Sequence, residues 1–143
     1  MYRIKAERVV DGDAADLWRV ATNVDGWPMW DPHEQDARLE GPFVVGALGW
    51  SKPRGGPATW WTVTVVDEGR SWGSACPLPG GGLTGLTTFE PVGASQVRCR
   101  KVVTVTGPLT VLFRVWFGPR MRRDMVRSLL ALGAEAGRTA RLQ

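Results

Sequence analysis

The sequence predicts an α+β fold of the helix-grip kind: a curved antiparallel sheet wrapped around a long C-terminal helix, with two short helices after the first strand. Three observations carry this expectation. Residues 2–7 alternate apolar and charged, the period of a half-buried strand. From residue 37 to residue 106 the chain reads as short strand-like runs separated by Gly and Pro turns, and strands so briefly connected pair antiparallel. Beyond Gly107-Pro108, Met121, Met125, Leu129 and Leu132 recur at helical spacing.

In the first strand Tyr2, Ile4 and Ala6 face one way, until Asp11-Gly12-Asp13 stops it. Asp13 is placed to cap a helix, with Asp16 three residues on and Leu17, Val20, Ala21 and Val24 as its buried stripe. Gly26 and Pro28 end that helix. The stretch Trp27-Pro28-Met29-Trp30-Asp31-Pro32-His33 then brings two tryptophans, two prolines and the only histidine together. It is too rich in proline for a helix interior, and a second short helical turn from Pro28 to His33 would point both indoles inward.

Strands follow at 37–40, 47–51, 60–66, 71–76, 83–90 and 96–106. The strongest puts Trp61, Val63 and Val65 on one face and Trp60, Thr62 and Thr64 on the other. Pro77 to Gly82 reads as a loop. Lys101 interrupts the apolar alternation of Val97, Cys99, Val103 and Val105; a buried amine is one reading, and a bulge at Val102-Val103 that turns it to solvent is the expected one. Leu109 to Phe117 is a short apolar helical region, broken at Gly118-Pro119 before a long helix to about Ala136. A sheet of this many strands curls, and one helix in its concave face leaves a hollow.

The totals narrow the functional classes. A chain of 143 residues suits one domain spanning 1–143, and 43% apolar with 22% charged residues excludes disorder. No apolar run approaches the roughly 18 residues of a membrane span. The chain starts directly with a strand rather than a signal peptide, so a cytoplasmic location is expected. Cys76 and Cys99 are too few for a disulfide framework or zinc site and read as small buried apolar residues. The net charge is +4, with Arg114, Arg120, Arg122, Arg123, Arg127, Arg138 and Arg141 crowding the last third. No nucleic-acid motif accompanies them, so a solvated helix face is the plainer reading. Gly80–Gly85 lacks the following helix and the lysine of a phosphate loop. Eight tryptophans exceed what such a core needs, and some are expected to line a cavity.

The order of elements, together with Trp27-Pro-x-Trp30-Asp31-Pro32, Gly41-Pro-Phe-x-x-Gly46 and Gly107-Pro-Leu ahead of the last helix, resembles the polyketide cyclase/dehydrase branch of the START-like (SRPBCC) superfamily. The resemblance spans roughly residues 3 to 137 and implies a ligand cavity between sheet and helix. Its matching wall positions are Trp30, Trp50, Trp61, Trp72, Met125 and Leu129. Aromatic cyclases of this group are thought to polarise a carbonyl with an Arg beside Trp and Ser or Thr. Here the Trp60–Val66 strand offers only Thr62 and Thr64.

Of the remaining candidates, Ser74 and Thr87 supply hydrogen bonds if their faces point inward, a matter of strand register. His33 is the catalytic candidate, since its ordinary pKa suits proton transfer near neutrality; the competing role is a turn residue after Asp-Pro. No metal and no cofactor are implied. The expected function is binding of a hydrophobic, aromatic, polyketide-like or lipid-like small molecule. The alternatives are an aromatase/cyclase or dehydratase using acid–base chemistry, and a basic interaction module. No nucleic-acid partner and no transmembrane segment are expected, and a homodimer is left open.

Overall fold

The computed structural model describes residues 1–142. Strand β1 (Tyr2–Asp11) leads to helix α1 (Ala14–Thr22), a 3-10 turn (Val24–Gly26) and the single-turn helix α2 (Trp27–Trp30). Strands β2 (Glu34–Glu40), β3 (Leu48–Pro53), β4 (Thr59–Asp67), β5 (Ser71–Leu78), β6 (Gly81–Pro91) and β7 (Gln96–Thr106) follow. The C-terminal helical run comprises α3 (Thr110–Leu112), a π turn (Phe113–Phe117) and α4 (Gly118–Arg141). The seven strands form one antiparallel sheet in the order β1-β7-β6-β5-β4-β3-β2. The first strand therefore pairs with the last, from Tyr2 opposite Val105 to Asp11 opposite Gln96. This is the helix-grip architecture the sequence predicts.

Local chemistry explains the elements. Asp13 caps α1 by accepting the Ala15 N–H at 2.7 Å, while Asp16 reaches forward to Arg19 instead of back to the cap. Leu17, Val20 and Ala21 are buried as the stripe predicts, and Val24 joins them from the 3-10 turn. The core lies between β1 and β7 on one side (Ile4, Val10, Cys99, Val105) and Met125, Leu129, Leu132 and Ala136 of α4 on the other. Gly133 sets their separation: a Cβ there would lie 2.8 Å from Cβ of Val10. Only glycine admits so close an approach.

Four local expectations are corrected. Pro77–Gly82 is not a loop, because β5 runs to Leu78 and β6 starts at Gly81 around a tight Pro79-Gly80 turn. The last helix is not broken at Gly118-Pro119. The Gly118 N–H bonds the Phe113 carbonyl across the wide π turn, so the ladder is already shifted where Pro119 lacks its donor. In β4 the register slips between Val63, opposite Ser74, and Val65, opposite Gly73, leaving Thr64 as the extra residue of a bulge. Val66 rather than Val65 therefore shares a face with Trp72, and Val65 is exposed. Finally, β7 holds continuous register with both neighbours through residues 101–103. With no bulge there, Lys101 stays on the inner face beside Cys99 and Val103.

Candidate functional site

The Trp27–His33 corner joins α1 to the sheet and meets α4 across the concave face. Trp27 turns inward: its Nε1 donates to the Ala21 carbonyl at 2.9 Å. Its ring stacks on Trp61 at 5.6 Å and 12° and leans on Trp72 at 5.8 Å. Phe43 closes the cluster, edge-on to Trp72 at 5.6 Å. Gly49 makes room for it, since the Trp61 ring occupies the place where a Cβ on Gly49 would sit.

These rings occupy part of the hollow the sequence predicts, and what remains is small. The cavity that remains between the sheet and α4 is about 60 Å³. That holds a few waters or one polar group, well short of the roughly 300 Å³ or more that encloses a drug-sized ligand. Its apolar wall is Trp27, Trp30, Trp72, Leu129 and Leu132.

Of its polar wall the sequence points only to Thr87. Asp31, Glu34, Thr87, Lys101 and Ser128 all face the cavity. Oε2 of Glu34 and Nε1 of Trp72 are shielded from solvent and find no hydrogen-bond partner among the described residues. Such orphaned buried groups are rare, and each calls for a partner such as water, an ion or a ligand. Burial, then the negative charge of Asp31, push the Glu34 carboxyl from its ordinary 4.5 to about 7, against the opposing pull of Lys101. Asp31 is itself held by the Ser128 hydroxyl, which donates to Oδ1 at 2.7 Å, and by the His33 backbone N–H at 2.9 Å.

The corner is two-sided. Asp31 and Glu34 look into the cavity, whereas Pro32 and His33 look into an outer hollow. His33 Nδ1 lies 3.5 Å from Oδ2 of Asp124 on α4. The histidine thus stands outside the inner cavity.

Of the sequence-predicted wall, Trp30, Trp72, Thr87 and Leu129 come together at the cavity. Trp61 is buried one layer behind, under Trp27. Ser74 faces inward opposite Val63 but lies beyond the cavity, and Met125 is core one turn before Leu129. Trp50 is on the other face of the sheet, paired with the exposed Trp60 and covered by the Arg38 guanidinium at 4.6 Å. The reason is Gly49: it opposes Trp61, so the neighbouring Trp50 must point outward.

The missed residues differ in how readable they were. Lys101 follows simple alternation with Val97, Cys99 and Val103. Glu34 does not: counted back from buried Ala37 it should face out, but a register shift between Glu34 and Asp36 turns it in.

A family model described as polyketide cyclase / dehydrase and lipid transport matches residues 1–137. The chain belongs to that family. Among solved structures, the fold of this family member is similar to the Zhui aromatase/cyclase from Streptomyces sp. R1128, with TM-score 0.80 and 15% identity over 97% of this chain and 95% of that one. It is also similar to a START superfamily protein from Mycobacterium smegmatis, with TM-score 0.69 and 14% identity over the whole of both chains. Norcoclaurine synthase from Thalictrum flavum, solved with dopamine and hydroxybenzaldehyde, matches at TM-score 0.66 and 17% identity over 92% of this chain and 86% of that one. At these identities the likeness speaks for the fold. No curated protein matches this family member by sequence. Among its described residues no helix is long and apolar enough to cross a membrane.

Proposed function

We propose that this family member binds a small hydrophobic molecule, aromatic or polyketide-like, between the sheet and α4. One observation carries the reading: a tryptophan-walled cavity contains an unpartnered donor, Trp72 Nε1, and an unpartnered carboxyl oxygen on Glu34. A ligand with a carbonyl or hydroxyl on a flat apolar frame complements both, and its desolvated hydrogen bonds would be strong. The cavity takes the polar end of such a guest. The half-buried Trp30, whose ring also borders an outer hollow with Met29, is the wall that must move for the rest. The test is native mass spectrometry and tryptophan quenching with 2-naphthol and hydroxyanthraquinones, set against saturated alcohols of equal size. Micromolar binding of the aromatic ketones and phenols, weakened several-fold by Trp72→Phe, is expected. A silent panel would count against the reading.

Glu34 favours a second reading, acid–base catalysis on that ligand. A carboxyl with pKa about 7 gives up and regains a proton at neutral pH. His33, the candidate base in the sequence, lines the outer hollow, so in this reading Glu34 takes the proton-transfer role. Exchange of α-protons of a bound aryl ketone into deuterated water would follow an apparent pKa near 7 and vanish in Glu34→Gln. Equal exchange in both proteins removes Glu34 from the chemistry.

A further inference from the structure

Two hollows meet on the outer side of the Pro32-His33 corner. The first, about 320 Å³, is walled by Arg54 from the β3–β4 turn and by Arg120, Arg123 and Arg127 from α4. The second, about 390 Å³, shares His33, Arg54, Arg120 and Asp124 with it and extends onto Phe113, Phe117 and Met121. Together they form one groove, cationic at one end and apolar at the other.

The cationic end is poorly neutralised. Positions 120, 123, 124 and 127 fall on one helix face, and Asp124 is the only carboxylate in either wall. Its partner is His33. Among the described residues none of the four arginines takes part in an ion pair. Arg120 reaches across from the helix, its Nη2 standing 4.0 Å from where a Cβ on Gly55 would lie. Four guanidinium groups around a concave surface repel one another and concentrate positive potential there. At the apolar end the Phe113 and Phe117 rings lie 5.4 Å apart, and Phe117 is exposed. A solvated helix face, the reading suggested by the sequence, explains neither the concavity nor the apolar continuation.

We infer that this groove binds a small amphipathic anion: a phosphate-headed molecule whose chain or ring lies on Phe113, Phe117 and Met121. Four forked donors exceed what one carboxylate needs and suit the three oxygens of a phosphate dianion. The groove and the inner cavity lie on opposite sides of residues 31–34, so either assignment can fail alone.

Calorimetric titration with octyl phosphate below its micelle concentration tests this, with octanol, inorganic phosphate and phosphatidylglycerol vesicles as separate arms. Octyl phosphate should bind, with octanol and inorganic phosphate each weaker by about tenfold or more. Its affinity should fall with added salt. Replacing both Arg120→Gln and Arg123→Gln should weaken it by about tenfold while leaving the circular dichroism and melting curve unchanged, since both side chains are exposed. Octanol binding as tightly as octyl phosphate would overturn the inference, as would an unaltered affinity in the double variant. Binding to vesicles but not to monomeric octyl phosphate would likewise overturn it in favour of surface docking.

Discussion

Replacing Glu34 with Gln should stabilise the protein at about pH 8 relative to its behaviour at about pH 4. Burial and Asp31 raise the carboxyl from 4.5 to about 7, so across that interval the native chain holds a proton that the unfolded chain has released. The native state binds more protons there, and stability must fall as pH rises from about 4.5 to about 7, then level off. At about 1.4 kcal/mol per decade the gap is worth roughly 3 kcal/mol, trimmed toward about 2 by the part of Glu34 that still meets water. Gln keeps the shape and loses the titration. Urea unfolding of both proteins at the two pH values isolates the effect, because every other titrating group cancels in the comparison. The variant should gain about 2–3 kcal/mol on wild type between the acid and alkaline measurements. A gain below about 0.5 kcal/mol, or one of opposite sign, would mean that Glu34 is solvated and the site wrongly built.

Three more outcomes follow from the same structure. Lys101→Met removes the cation that pulls the Glu34 carboxyl down, so the stability loss should move to higher pH; a midpoint unchanged or lower refutes the contact. Gly49→Ala drives a methyl into the Trp61 ring and should cost about 1–3 kcal/mol in thermal or urea unfolding. A neutral result there would mean that the indole stack is looser than described. Burial pushes the Cys99 thiol up to about 11, and Cys99 is fully buried where Cys76 is only half-buried. A disulfide reagent should therefore label Cys76 well before Cys99 in the native protein, and equal rates would contradict the burial.

The architecture was legible because it rests on periodicity. The Leu17–Val20–Ala21 stripe, the β7 alternation and the Met125–Leu129–Leu132 spacing each bury what they predict. The site was legible in part. Trp72 and Thr87 oppose each other across β5 and β6 and reach the cavity together. What failed were the points where period is interrupted. The Thr64 bulge and the shift beside Asp36 each invert a face without leaving any residue type as a signature. Trp50 failed for another reason: whether an indole points in or out depends on which neighbour leaves room, and here the deciding residue is a glycine on the same strand. The size of the hollow depended on Trp27 stacking across to Trp61, a contact between segments far apart in sequence.

The corner at residues 31–33 is clasped to α4 by two side-chain contacts one helical turn apart, Asp31 with Ser128 and His33 with Asp124. Releasing two polar contacts of this kind costs about 1–3 kcal/mol. Unclasping would also carry Asp31 away from Glu34 and admit water, and both changes weaken the carboxyl's hold on its proton. By reciprocity, a rise in pH loosens the clasp. Proton occupancy at Glu34 and the hold of this corner on the last helix are thus one linked equilibrium.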